Sequence, residues 1–129
     1  MKINYNINHR LLEFKIFRET EMTSIERMVT LITLSQIAHF HQHVGECVFN
    51  IKQMSHDLGP KRHYFSKALE LLKSSKLIVE TVPYDRHTQT PATYRLGPLM
   101  VKAMATRGIQ YGHQRSKPGP SSGQVNNIK

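Results

Sequence analysis

From Thr23 onward the apolar positions of the chain follow a helical spacing first and a strand spacing later. Thr23-Ser24-Ile25-Glu26 has the form of a capping box, which predicts a helix over Ser24–Gln42. Its expected face holds Ile25, Met28, Val29, Ile32 and Gln36, broadened by Leu31, Leu34 and Ala38. A stripe that wide predicts a central scaffold helix, or one with a second buried face. Val44-Gly45 stops it, and Glu46–Phe49 is a short apolar run of strand character. Asn50-Ile51-Lys52-Gln53 signals a second helix start, with Ile51, Met54, Ser55 and Leu58 on its buried side. Gly59 suits a left-handed helix end, and Pro60 suits the entry to the next helix.

That next helix is predicted over Lys61–Ser75. Phe65, Ala68, Leu69 and Leu72 fall at i, i+3, i+4 and i+7, so they point inward. Lys61, Arg62, His63, Tyr64, Ser66 and Lys67 are left at or beyond the border of that stripe. Leu77–Val82 is β-branched and reads as a strand, Pro83–Pro91 as a polar loop, and Ala92–Leu96 as the returning strand before Gly97-Pro98. Leu99–Thr106 carries two turns of helical pattern. In residues 1–22, Ile3, Tyr5 and Ile7 alternate with polar residues, as in a short strand or extended arm. Leu11, Leu12, Phe14, Ile16 and Phe17 then supply apolar mass that suits a strand or a helical turn packed on the domain.

The order helix, short strand, helix, tight turn, helix, strand, polar loop, strand is that of a winged helix-turn-helix. The expected class is mainly α with a small β-hairpin, α+β overall. The divisions are an N-terminal arm (1–22), the winged domain (23–97), a short helix (98–107) and a basic tail or linker (108–129). The tail is expected to be disordered, since it is polar, rich in Gly, Pro and Ser, and without periodicity.

Charge sharpens this picture. The net charge of +9 is concentrated. Residues 61–76 hold five cations against one acid, and residues 101–129 hold five cations and no acid. A basic segment on an exposed helix is the electrostatic footprint of a polyanionic partner. One cysteine excludes an intramolecular disulfide and fits a reducing compartment. No apolar run approaches the roughly 20 residues of a membrane span, and the first residues lack a signal-peptide pattern. A cytoplasmic location is expected.

If the partner is DNA, side-chain chemistry assigns the contacts. Arg62 suits a bidentate contact to guanine, with His63, Tyr64, Ser66 and Lys67 as further base-edge or phosphate contacts. Lys61 and Lys52 suit flanking phosphates at helix starts. Arg86, His87, Thr88 and Gln89 in the loop can reach a minor groove or the backbone, and Arg95 can brace from the strand. His39, His41 and His43 include an i, i+4 pair that can share a metal, but no CxxC or HExxH frame accompanies them, so no cofactor is expected. Paired carboxylates, a nucleophile frame and a Gly-rich phosphate loop are all lacking, and no enzyme is expected.

Residues 22–97 resemble the helix-turn-helix domain of replication initiators and replisome organisers of phages, plasmids and mobile elements. The matching stretches are TSIERMVTL, ECVFNIKQMSHDLG, KRHYFSKALELLKSSKLI and TPATYRL. Two positions depart from that pattern. Lys76 stands where Gly or Asn is usual, and Pro60-Lys61 stands where Ser or Thr commonly caps the helix. The resemblance implies sequence-specific binding of double-stranded DNA at a repeated or palindromic site, as the origin-binding part of an initiator. The wide stripe also allows a second copy as partner, through Ser24–Gln42 or Leu99–Met104, and the initiator reading implies a host helicase or its loader, through a region beyond the tail. The alternatives are a small repressor binding a promoter palindrome as a dimer, and a protein-interaction domain of the same shape. The basic helix argues against the latter.

Overall fold

The computed structural model describes Leu11 and residues 14–107. The expected arm strand around Ile3–Ile7 and the basic tail from 108 lie outside the described residues. Five helices and three strands follow in order: α1 (Lys15–Glu19), α2 (Ser24–Val44), β1 (Cys47–Val48), α3 (Ile51–Leu58), α4 (Arg62–Ser74), β2 (Ile78–Val82), β3 (Thr93–Leu96) and α5 (Pro98–Arg107). The class is α+β, mostly helical with one small antiparallel sheet. No helix among the described residues is long and apolar enough to cross a membrane.

Local chemistry sets the helix ends. The Thr23 hydroxyl accepts from the Glu26 N–H at 3.2 Å, and the Thr23 N–H donates to the Glu26 carboxylate at 2.9 Å, completing the capping box of α2. Asn50 Oδ1 accepts from the Gln53 N–H at 3.0 Å and starts α3. Gly45 (φ 92°) and Gly59 (φ 106°) end α2 and α3 with positive φ, which costs glycine little. α4 starts at Lys61 without a side-chain cap.

α2 is the scaffold, packed against α4, β1 and β3. Its burial differs from the expected stripe. Residues 29–31 and 33–38 are all buried, whereas Ile25 (39% exposed) and Met28 (59% exposed) face solvent. The middle of α2 is enclosed from more than one side, so Thr30, Thr33, Ser35 and Gln36 are buried beside Val29, Leu34 and Ile37. Thr30 satisfies its hydroxyl by donating to the Glu26 carbonyl at 2.7 Å.

The inward stripe of α4 holds as read: Phe65, Ala68, Leu69 and Leu72 are all buried. In α3, only Met54 of the four expected inward residues is fully buried. The core also reaches beyond 23–97 on both sides. Leu11, Phe14, Ile16 and Phe17 join it from the N-terminal side, with α1 helical rather than extended. Met100 and Met104 join it from α5. Those two methionines are therefore internal packing, and a dimer surface over Leu99–Met104 retains only Leu99 and Val101 as exposed large apolar groups.

The sheet runs β1-β3-β2. Cys47 pairs with Tyr94, Ile78 with Leu96 and Val79 with Arg95, and a bulge interrupts β2 between Glu80 and Val82. Successive residues alternate between the two faces. Cys47, Ile78, Tyr94 and Leu96 are buried against the helices, whereas Val48, Val79, Val82 and Arg95 are exposed on the other side. Burial pushes the Cys47 thiol up to about 12, so it stays a protonated, unreactive core residue.

Candidate nucleic-acid interface

The N-terminal ends of α3 and α4 open toward the hairpin of β2 and β3. Between them lies a groove of about 660 Å³. Lys52 lines it from α3 and Arg62 from α4. Glu80, Tyr84 and Gln89 line it from the hairpin, while Phe49 and Tyr94 belong to both groove and core. Three of the expected contact residues, Lys52, Arg62 and Gln89, thus share one concavity although they are distant in sequence. Lys52, Lys61 and Arg62 are exposed and make no ion pair among the described residues. With no side chain capping α4, its first N–H groups add to the positive end of the helix dipole beside them.

The remaining α4 residues divide. His63 and Ser66 are exposed on the outer face. Tyr64 is half-buried against the core, and the His63 ring lies over it at a centroid distance of 4.2 Å. Tyr64 lines a separate small cleft with Met22 and Thr30, not the groove that holds Arg62. Lys67 is already engaged: its ammonium donates to the Glu26 carboxylate. That hydrogen bond, then the Thr23 N–H, holds the Glu26 carboxyl below its usual range. Further along, Lys73 pairs with Glu70 at 3.1 Å and with Glu80 at 3.5 Å. The basic character of α4 is therefore neutralised towards its C-terminal end and open at its N-terminal end.

The hairpin loop is built on one carboxylate. Asp85 and Thr90 exchange backbone hydrogen bonds at 3.0 and 3.2 Å. Asp85 Oδ1 accepts from the N–H of His87 at 2.9 Å and of Thr88 at 3.4 Å. These bonds, led by the one from His87, lower the Asp85 carboxyl. The turn leaves Arg86, His87, Thr88 and Gln89 exposed. Gln89 sits at φ 58°, a left-handed conformation uncommon for a residue with a side chain.

Arg95 does not join this group. It neighbours Tyr94 in an extended strand, and Tyr94 lines the groove, so Arg95 projects from the opposite face of the sheet. There it lies near His41 instead. The His39 and His43 rings meet tilted at 4.3 Å, His41 is used as a hydrogen-bond acceptor, and no group of three ligating side chains occurs among the described residues.

Glu80 and Tyr84 are additions to the site that composition alone does not single out. Period-two alternation from Ile78 places Glu80 on the inner face, which is the one available signal. Tyr84 enters the groove only through the course of the hairpin after Pro83.

No protein-family model matches the chain, and no curated protein or solved structure shows significant similarity to it.

Proposed function

We propose that this protein binds double-stranded DNA sequence-specifically, as a winged helix-turn-helix in which α3 and α4 form the helix pair and the β2–β3 hairpin is the wing. The observation that carries the reading is that Lys52 and Arg62, at the open ends of α3 and α4, share one groove with the hairpin, with Lys61 exposed next to Arg62 and none of the three in an ion pair among the described residues. A major groove accepts a helix of the width of α4 and is read from its N-terminal residues. Arg62 and His63 stand there, followed one turn later by Ser66. The loop residues Arg86–Gln89 reach the adjoining backbone or minor groove. The process served is replication initiation of a phage, plasmid or mobile element, a role supported by the sequence resemblance of residues 22–97.

A promoter-binding repressor is the second reading. It is favoured by Ile25 and Met28, which α2 leaves exposed and which suit a second copy. Titrating a labelled duplex at several salt concentrations tests DNA binding itself. Each phosphate contact contributes about −0.9 to the slope of log affinity on log salt. A flat response would remove the DNA reading. Footprinting on flanking DNA separates the two roles: protection of a repeat array supports an initiator, and protection of a single promoter palindrome supports a repressor.

A further inference from the structure

We infer that the groove between α3, α4 and the hairpin seats one unpaired nucleotide of a DNA strand, with its base on the floor and its phosphates at the rim. The inference rests on the DNA-binding reading and adds a second mode of engagement to it.

The wall chemistry is wrong for a phosphate run alone. Lys52 and Arg62 suit phosphates, but Glu80 shares the groove with them. Its carboxylate is 29% exposed and is held in place by Lys73. A carboxylate repels phosphate, yet it accepts the exocyclic N–H of cytosine or adenine. Tyr84 lines the same groove and is 54% exposed, an aromatic face available for stacking. Gln89 adds an amide with both donors and an acceptor, held there in a left-handed conformation of the kind that collects at binding sites. A volume of about 660 Å³ lies in the usual range for small-ligand sites, roughly 300–1,000 Å³. A base inside a regular duplex cannot reach such a floor, whereas an unpaired base leaves the stack at least cost.

The test compares three labelled duplexes by fluorescence anisotropy: fully paired, with one unpaired deoxycytidine, and with one unpaired thymidine. The unpaired-cytidine duplex should bind roughly tenfold more tightly than the paired one. Tyr84→Ala, at an exposed position, should abolish that gain, read as the ratio of unpaired- to paired-duplex affinity falling to about one. Glu80→Gln should erase the preference for cytidine over thymidine. Equal affinity for paired and unpaired duplexes overturns the inference while leaving duplex binding intact. So does a gain that survives Tyr84→Ala. Binding to none of the duplexes removes the DNA reading and this inference together.

Discussion

The Leu96 N–H donates to His41 Nδ1 at 3.2 Å, where a third strand would otherwise supply the acceptor. β1 is only two residues long, so the ladder on that side of β3 runs out after Tyr94. A histidine from the last turns of α2 takes over. The bond requires His41 to be neutral with its proton on Nε2. Burial, then the nearby Arg95 charge, lowers the His41 pKa from its ordinary 6.5.

The unfolded chain takes up the His41 proton more readily than the folded one, so stability rises with pH through this range. The contribution is complete above about pH 7 and declines as pH falls through 6.5 toward the lower folded value. Urea unfolding at pH 7.5 and 5.5 should show the loss. His41→Asn, which offers an oxygen acceptor and does not titrate, should reduce the difference. An unchanged pH response in His41→Asn would show that another group titrates.

Lys76 and Gly97 meet at the entrance to the hairpin. Lys76 has φ 63°, and a Cβ built on Gly97 would lie 2.3 Å from the Lys76 carbonyl oxygen. A left-handed residue with a side chain costs about 1–2 kcal/mol, and glycine returns part of that gain through its greater unfolded freedom. Lys76→Gly should therefore raise stability by about 0.5–1 kcal/mol, read as a higher Tm. Gly97→Ala should destabilise by more than about 2 kcal/mol, because the obstacle is backbone and cannot rotate away. A neutral Gly97→Ala would mean that the two strands separate easily at this point.

The hairpin loop depends on Asp85. Asp85→Ala removes the acceptor for the His87 and Thr88 amides and should accelerate their hydrogen exchange, while Asp85→Asn retains one acceptor oxygen and much of the protection. Because hydrogen bonding lowers the Asp85 pKa below 3.8, the turn should hold at neutral pH and loosen only as pH falls below that value. NMR exchange rates at the two amides read this directly.

The limits of sequence reading are visible in particular residues. Thr23 with Glu26, Asn50 with Gln53, and the stops at Gly45 and Gly59 are legible because a cap is a contact between neighbours in sequence. The α4 stripe is legible because one side of that helix faces the core. α2 is legible in part: the width of its apolar stripe signals burial on more than one side and Gln36 lies on the expected face, but periodicity within one helix does not show that Thr33 is buried while Ile25 and Met28 are left out. The order β1-β3-β2 and the packing of Met100 and Met104 are long-range facts. At the site, the cations are legible as a cluster. The Glu26 carboxylate that occupies Lys67 lies 41 residues away and gives no local sign. Arg95 is intermediate: alternation separates it from Tyr94, but only the sheet's position shows which of the two faces the groove.

If DNA is bound as proposed, the salt dependence should sort the cations by these placements. Lys52→Ala and Lys61→Ala should each reduce the slope by about 0.9 and weaken binding on all sequences alike. Arg62→Ala should cost about 1–3 kcal/mol on the preferred site and relax the sequence preference. If Arg62 instead weakened every sequence equally, its role would be that of a phosphate contact. Arg95→Ala should leave both slope and preference unchanged, because the sheet lies between Arg95 and the groove. Lys67→Met is the most informative comparison. Its ammonium is held by the Glu26 carboxylate and is not free for a phosphate. The slope should therefore barely move in Lys67→Met, whereas Glu26→Gln should release Lys67 and increase the slope by up to about 0.9. A full loss of one phosphate contact in Lys67→Met would show that the Glu26 pair opens when DNA binds.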